Sequence, residues 1–557
     1  TVSGGAGTIE SLALDAATDI TFDTKEFVAD GAVSVVAGQD VTFDTNVSLG
    51  AGSSGEGSSV AADTLTVNAG AAGTINGTVD VEAIVLSGAT SAPNPVEDAA
   101  SLTISGEGDS TFTTLTDAEE TTLSLTDGAT LTQNGDPTAS VSLNGTLSVA
   151  DANSAFSTPG SLTLANTAKL TLENGGAANI AGTLDLNAST TGAVTVDGTG
   201  TGSDATTTLT AGTLVINPAD AADTATQGVV SLTNGGQFTV GELAAGSTVT
   251  LTGQNGSGNI WVDETSHFTL KKGDLAVTES TRGEIIAESG NVTFGHDAGG
   301  NGVYSLAGIG TQGLDLSVNS GHKEVNFTMS ESLNADGTTK TYSKVDVRGM
   351  MNLQGTDVSA TGAEDQQVFK VSVASGVNLD NANLTLENVA FSGGKSVSLT
   401  GSSELSATNT TIDGFDAIIT TVGANNSSIT LNNATLNTDV TMNSGTLNVG
   451  GEGATIGAGH TVSVNENVSA KLEGNLTGDG KLALNGGNVS LTGDEFTLDN
   501  VVVNAANAKI SGGETLTIGN LEIGTGDALT VDAALSASGT WNVNGGSLTA
   551  GTLTIAD

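Results

Sequence analysis

The sequence repeats a short unit in which a glycine precedes alternating polar and apolar residues. This unit, GTL-polar-apolar, begins at Gly145, Gly182, Gly212, Gly445 and Gly551. The hexapeptide DITFDT, which begins at Asp19, returns as DVTFDT from Asp40. Alternation with a period of two is typical of a strand that buries one face. Strands this short are not stable alone, so the repeats predict a fold in which each unit is completed by its neighbours.

The spacing of these runs predicts the architecture. Small polar residues and glycine separate the strand-like runs, similar runs return at an interval of roughly 20 residues, and no helical period of useful length is found. These features predict an all-β fold, a right-handed parallel β-helix (a solenoid) in the form of an elongated rod. Each coil would contribute two or three short strands whose alternate side chains fill a thin core.

A string of β-sandwiches is the competing architecture. It would require longer strands, more aromatic residues and proline-marked boundaries between units. The chain has only two Trp, two Tyr and five Pro among 557 residues, which favours the solenoid.

The middle of the chain has a different composition. Nine of the fourteen Lys and Arg residues lie between Lys271 and Lys395, together with both tyrosines and two of the four histidines, and a third histidine, His267, lies just before this stretch. We therefore divide the chain into β-helix coils at 1–260, a distinct segment at 261–395, and further coils at 396–557. The segment at 261–395 is either an inserted, loop-rich subdomain or a set of coils with longer side chains.

Charge and cysteine content exclude several functions. The formal net charge of −48 disfavours binding to nucleic acid or to an anionic membrane surface. The absence of cysteine excludes disulfides, thiol catalysis and cysteine-based zinc sites. No apolar run has the length of a transmembrane helix, and the first residues do not form a signal peptide.

Two stretches resemble a known family. LTLENGGAANIAGTLDLN, from Leu170, and LNNATLNTDVTMNSGTLNV, from Leu431, resemble passenger domains of bacterial autotransporters, the adhesins of type V secretion. The resemblance is one of style and includes no diagnostic motif. It implies a β-helical adhesin that is secreted or displayed on the bacterial cell surface. It also implies that the only membrane contact is made through a C-terminal β-barrel, which this chain lacks.

Signals for catalysis are weak. GEGDST, from Gly106, contains the Gly-Asp-Ser of some protease nucleophile motifs, but no histidine precedes it in the order of a chymotrypsin-like triad, and a plain turn is the simpler interpretation. Parallel β-helices also include polysaccharide-degrading enzymes, which use clustered carboxylates, and this remains a minor alternative. We predict that the chain is not an enzyme and needs no cofactor.

Calcium is retained as a candidate ligand. The calcium-binding nonapeptide of β-rolls and the EF-hand loop are both absent. Acidic residues do recur at equivalent positions, in the pairs Asp19/Asp23 and Asp40/Asp44. If these coils stack, the carboxylates would lie about 4.8 Å apart, where they either repel each other or bind a cation. Solvated turn aspartates are the simpler interpretation, and no metal site is predicted.

The leading functional hypothesis is an extracellular adhesin that mediates attachment to host surfaces, aggregation between cells and biofilm formation. Its partners would be a host surface or glycan, or a second passenger. The alternative is a self-assembling surface-layer or matrix protein that divalent cations cross-link. Because bulk charge repels two copies, contact with an acidic partner would need local cations, together with ladders of Asn and Thr. The predicted contact residues are Lys271, Lys272, Arg282, Lys344 and Arg348.

Overall fold

The structure, a computed structural model, describes most of the chain. The described residues are 12–23, 26–29, 33–50, 57–88, 99–165, 167–187, 193–198, 206–216, 229–252, 258–263, 265–273, 275–277, 284–287, 292–294, 303–306, 308–311, 316–318, 324–328, 331–333, 340–342, 344–347, 350–354, 357–363, 369–424 and 426–555. Contacts between residues divide the chain into two compact units. The first is Thr1–Ile286 with Ala335–Gly337, and the second is Ala287–Asn334 with Thr338–Asp557. The three-segment division stays a prediction.

The described part of the chain is all-β and contains no helix. Strands β1 to β28, in chain order, are Leu12–Ala16, Ile20–Phe22, Glu26–Ala29, Val33–Ala37, Asp40–Phe43, Asn46–Leu49, Ser58–Val67, Ala72–Leu86, Ser101–Ser105, Gly108–Phe112, Thr114–Asp117, Thr122–Thr126, Ala129–Gln133, Ser140–Leu143, Thr146–Ala150, Ala155–Thr158, Ser161–Leu164, Lys169–Glu173, Ala177–Asp185, Val194–Asp197, Thr208–Val215, Val230–Thr233, Gln237–Leu243, Val249–Thr252, Ile260–Val262, His267–Leu270, Leu275–Val277 and Glu284–Ala287.

The remaining strands follow the same pattern. Strands β29 to β62, in chain order, are Val292–Phe294, Val303–Leu306, Gly308–Thr311, Leu316–Val318, Glu324–Thr328, Glu331–Leu333, Lys340–Tyr342, Lys344–Val347, Met351–Gln354, Asp357–Thr361, Phe369–Val373, Val377–Asp380, Asn383–Glu387, Val389–Gly393, Val397–Thr400, Glu404–Thr408, Thr411–Asp413, Ile418–Thr420, Ser428–Asn432, Ala434–Asn437, Val440–Met442, Gly445–Val449, Ala454–Ile456, Thr461–Asn465, Val468–Leu472, Leu476–Thr477, Lys481–Asn485, Asn488–Leu491, Glu495–Val503, Ala508–Gly512, Thr515–Ile523, Ala528–Ala537, Trp541–Val543 and Ser547–Ile555. None of the described residues forms a helix long and apolar enough to span a bilayer.

Each unit is a parallel β-solenoid with up to three strands in a turn. In the first unit β1, β2 and β3 pair in parallel with β4, β5 and β6, so that each strand lies beside its counterpart in the next turn. In the second unit β41, β42 and β43 pair in the same way with β44, β45 and β46. The predicted parallel solenoid is confirmed, and the β-sandwich alternative is wrong because sandwich sheets are antiparallel.

The interval of roughly 20 residues is observed for the two copies of the hexapeptide. Ile20 lies beside Val41 and Phe22 beside Phe43, so the two copies of the hexapeptide stack in register. The GTL units lie in strands, and two of them stack with Leu184 beside Leu214. One antiparallel pair, β34 with β35, occurs at 331–342, inside the compositionally distinct segment.

The core of each unit is a narrow column of apolar side chains. Within a strand every second residue points inward, because successive side chains of a strand alternate between its two faces. Phe22 and Phe43 are fully buried with ring centroids 5.4 Å apart, and Phe391 and Phe415 lie 4.7 Å apart in the second unit. Each buried side chain therefore packs on residues of the turns above and below, and no turn has a core of its own.

Candidate adhesive surface

Outward-facing side chains form columns because the strands stack in register. In the second unit, the outward residues Thr385, Ser406, Thr430 and Asn448 lie on successive turns of one face. Neighbouring parallel strands are about 4.8 Å apart, so each column presents one side chain at that interval. The surface is therefore a regular lattice of small polar groups.

An asparagine ladder follows one edge of the second unit. It is built from Asn443, Asn465, Asn485 and Asn504 on four successive turns. Each side-chain amide nitrogen donates to the side-chain oxygen of the preceding residue, and all three Nδ2–Oδ1 distances are 2.9 Å. An asparagine amide has two N–H donors and one oxygen with two lone pairs. Each inner member of the ladder therefore keeps one N–H and one lone pair that the ladder does not use.

A second ladder occurs where the chain turns with a left-handed backbone. Asn388, Asn409 and Asn433 have φ of 56°, 48° and 51°, and Gly453 takes the next place with φ of 78°. Asparagine is the non-glycine residue best suited to this conformation. The Asn409 amide donates to Asn388 at 3.2 Å, and the Asn433 amide donates to Asn409 at 2.8 Å. The same residue type therefore satisfies the backbone geometry and links the turns.

The predicted acidic pairs do stack. The backbone N–H of Asp40 donates to Asp19 Oδ1 at 3.4 Å, and that of Asp44 donates to the Phe22 carbonyl beside Asp23 at 2.9 Å. Asp44 Oδ1 also accepts from Asn68 Nδ2 at 2.5 Å. Within the described ranges, no group of three or more His, Cys, Asp or Glu side chains is arranged to hold a metal ion. Calcium binding stays a prediction.

The predicted contact cations are only partly described. Lys271 and Lys272 are adjacent and exposed in the turn after β26. Lys272 Nζ lies 2.8 Å from Glu242 Oε2, and this hydrogen bond and the attraction between the charges raise the Lys272 pKa. Lys344 begins β36, where its backbone lies beside Lys370 of the next turn. Arg282 and Arg348 lie outside the described residues. Of the three predicted cations that the structure describes, only Lys271 and Lys272 lie together. The role of all five residues stays a prediction.

Other lysines also pair with carboxylates of a neighbouring turn. Lys509 Nζ lies 2.9 Å from Asp532 Oδ2, and Lys395 Nζ lies 4.0 Å from Asp416 Oδ2. The positive charge of these side chains is thus partly neutralised within the solenoid. Exposed pairs of this kind contribute about 0–1 kcal/mol each.

The Gly-Asp-Ser motif has a structural role in the first unit. The interpretation of it as a turn is wrong, because these residues lie in strand β10. Ser110 is fully buried, and its hydroxyl oxygen accepts from the backbone N–H of Val79 at 2.9 Å. Ser154 and Thr207, which are also fully buried, accept in the same way from Gly128 and Gly175. Buried hydroxyls thus satisfy backbone donors of the preceding turn.

Asp117, the last residue of β11, is a buried polar residue that was not predicted from the sequence. Its carboxylate is buried and accepts backbone N–H bonds from Asn144 at 2.9 Å and from Gly145 at 2.6 Å. Burial raises the Asp117 pKa, an effect that the hydrogen bonds from Gly145 and Asn144 oppose. The sequence carries one signal that Asp117 is buried. In Leu115-Thr116-Asp117 the aspartate occupies the position where the alternation predicts an inward-facing apolar residue.

Comparisons with known proteins add one neighbour. No family model and no curated protein matches the chain. Among solved structures, the Haemophilus influenzae Hap adhesin aligns over 94% of this chain at 13% identity, with a TM-score of 0.23. The chain spans 57% of the length of that structure.

Proposed function

We propose that the chain is an extracellular bacterial adhesin that acts by binding and has no catalytic role. The observation that carries the proposal is the surface of repeated polar columns, above all the ladder Asn443–Asn465–Asn485–Asn504. Its unused N–H groups and lone pairs recur once in each turn. Each contact is weak, but many acting together give strong attachment.

The charge of the chain limits how such contacts form. At −48, two copies repel each other at long range, and salt screens this repulsion. Short-range hydrogen bonds between polar columns require no charge of either sign. Attachment and aggregation through these columns should therefore persist, or increase, as the salt concentration rises to physiological values.

Coated beads test the proposal with the chain as it exists. Fluorescent beads that carry the 557-residue chain should cluster with one another or attach to cultured epithelial cells, while albumin-coated beads should do neither. An excess of the soluble chain should reduce both effects. Coated beads that neither cluster nor attach at any salt concentration would contradict the proposal.

The predicted cations need a separate test. Reversing Lys271, Lys272, Arg282, Lys344 and Arg348 to Glu should reduce clustering at low salt if they contact an acidic partner. The matched control reverses five lysines that are not in the predicted contact set, namely Lys25, Lys169, Lys395, Lys471 and Lys509. Equal clustering by the two folded variants would remove the five residues from the proposed contact.

A surface-layer or matrix protein is the second candidate. The observation that favours it is the stacking of Asp19 on Asp40 in a strongly acidic chain. Under this alternative, millimolar calcium should produce assemblies that scatter light and that dissolve when a chelator is added. Light scattering that does not respond to calcium would count against it.

A further inference from the structure

A groove lies on the outer face of the second unit. Its lining includes Lys481, Asn500, Val502, Asn520, Glu522 and Asn542, and its volume is about 350 Å³. The register explains its shape. Ala483, Val502, Glu522 and Asn542 form one column, and the residues two positions earlier on each turn lie beside it. The groove therefore crosses four successive turns.

Hydrogen bonds hold one side of the groove in place. The Asn500 amide donates to the carbonyls of Gly478 at 2.8 Å and Gly480 at 2.9 Å, which uses both of its N–H groups. Asn520 donates to Asn500 Oδ1 at 2.7 Å and accepts from the backbone N–H of Thr540 at 2.9 Å. Because these side chains are already ordered, a ligand would lose little free energy in ordering them.

Other groups in the groove remain available for a ligand. Lys481, Glu522 and Asn542 are exposed, and their side chains have no hydrogen-bonding partner among the described residues. Val502 is half-buried between these polar groups and offers an apolar contact. The groove thus combines donors, acceptors and a small apolar surface, with one positive and one negative charge.

These properties fit an extended sugar chain. The balance of one cation and one anion favours a neutral ligand, and the mixed donors and acceptors suit hydroxyl groups, which both donate and accept. The solenoid advances about 4.8 Å per turn, which is close to the advance per ring of an extended β-linked polysaccharide. Successive rings would then meet equivalent positions on successive turns. Val502 would contact the C–H face of a ring.

An extended peptide fits less well. Peptides that add to a sheet bind to an open edge, where backbone N–H and C=O groups are unpaired. The strands beneath the groove pair with neighbours, as β57 does with β55 and β59. We propose that this groove binds a neutral, extended, β-linked oligosaccharide. The proposal rests on the adhesive function proposed above and identifies one class of ligand for it.

Labelled oligosaccharides test the proposal. Fluorescence anisotropy would measure the binding of labelled cellopentaose and chitopentaose to the full chain, with the α-linked maltopentaose as the comparison ligand. We expect one or both β-linked sugars to bind more tightly than maltopentaose. The groove variant K481A/E522A/N542A should weaken this binding about tenfold or more, since each lost hydrogen bond reduces affinity by a few-fold to tenfold.

A matched variant makes the result specific. K471A/E473A/N507A carries the same three kinds of substitution at exposed residues outside the groove and should bind like the wild type. No binding of either β-linked sugar, equal binding by the groove variant, or binding of extended peptides in place of sugars would each overturn the proposal. Bead clustering, measured on the same variants, separates the two proposals. Clustering without sugar binding rejects only the groove, and sugar binding without clustering or cell attachment rejects only the adhesive function.

Discussion

The start of the first unit and the end of the second unit link their turns with different polar columns. In the first unit one column runs Asp44, Asn68, Ser87, where Asn68 donates to Asp44 and Ser87 donates to Asn68 at 3.3 Å. In the second unit a column contains four asparagines in succession, from Asn443 to Asn504. Both columns occupy the ends of stacked strands, so the difference lies in the side chains alone.

The chemistry of the side chains explains the difference. A carboxylate only accepts hydrogen bonds, so a column that contains Asp44 needs a donor in the next turn. An amide donates and accepts, so identical amides can continue a column through any number of turns. An asparagine column can therefore lengthen by duplication of a turn, whereas a column with a carboxylate needs a matched partner in each new turn.

The two regions also differ in the length of their turns. Among the described strands from Val358 to Ala550, the step between stacked residues is never longer than the 26 residues that separate Val358 from Leu384. Near the start of the first unit, Thr114 stacks on Ala83, a step of 31 residues. Solenoids tolerate such variation in the number of residues per turn. The second region is thus the more regular repeat.

The largest expected effect comes from a feature that the two regions share. A Cβ at Gly212 would overlap the Ala181 carbonyl oxygen, and a Cβ at Gly519 would overlap the Asp499 carbonyl oxygen. We expect Gly212→Ala and Gly519→Ala each to lower the local free energy of unfolding by about 3 kcal/mol, because backbone must move. Amide hydrogen exchange would measure this change in the local free energy of unfolding. Gly451→Ala, which points into open space, is the control, and a small effect at either crowded glycine would contradict the prediction.

The next effect belongs to the first region. Asp117→Ala removes the acceptor of two backbone N–H groups, those of Asn144 and Gly145, and should cost about 2 kcal/mol. Exposed Glu119→Ala, two residues away, is the control and should cost less than about 0.5 kcal/mol. Equal urea midpoints for the two variants would show that the buried carboxylate is not needed.

The Asp117 carboxyl also predicts a pH dependence. Because burial raises its pKa in the folded state, the folded protein holds this proton more tightly than the unfolded chain does. The stability that this carboxyl contributes is therefore fully present at pH values below its pKa in the unfolded chain. It declines as the pH rises through its pKa in the folded protein. The free energy of unfolding of the wild type, relative to Asp117→Asn, should fall across that range. If this difference between the wild type and Asp117→Asn rises with pH instead, the predicted direction of the pH dependence is wrong.

Much of the fold could be predicted from sequence because apolar and polar residues alternate along most of the strands. The two hexapeptides from Asp19 and Asp40 indicated the register of two turns directly, since identical or similar side chains stack on each other. Ser110 and Asp117 could not be placed in the same way. Their burial depends on donors at Val79 and Gly145, which lie about one turn away at no fixed sequence offset.

The candidate site was predictable only in kind. Sequence composition indicates that Asn and Thr ladders exist, but turn lengths vary, so composition does not show that Asn465 meets Asn443 and Asn485. The groove was missed for the same reason. Lys481 and Asn542 lie three turns apart, and only the register of the strands between them places both beside the same groove.

A smaller effect tests the asparagine column of the second region. Asn465→Asp keeps the shape of the side chain but removes the donor to Asn443, while the acceptor for Asn485 remains. We expect a loss of about 1 kcal/mol near neutral pH, which decreases at low pH, where the protonated carboxyl can donate again. Asn507→Asp, at an exposed position outside the ladder, is the control. A loss that is the same at all pH values would show that donation to Asn443 is not the cause.

The smallest effect should be common to both regions. Lys272 pairs with Glu242 in the first unit and Lys509 with Asp532 in the second, and all four side chains are substantially exposed. Solvent and salt screen such pairs, so Lys509→Ala should cost about 0.5 kcal/mol at low salt and less at high salt. Lys272→Ala should show a similarly small loss of stability that decreases at high salt. Lys471→Ala is the control and should show no salt-dependent loss, because the Lys471 side chain has no ion-pair partner among the described residues. Urea midpoints at low and high salt measure all three. A large loss confined to one unit would mean that ion pairs, and not amide columns, distinguish the two regions.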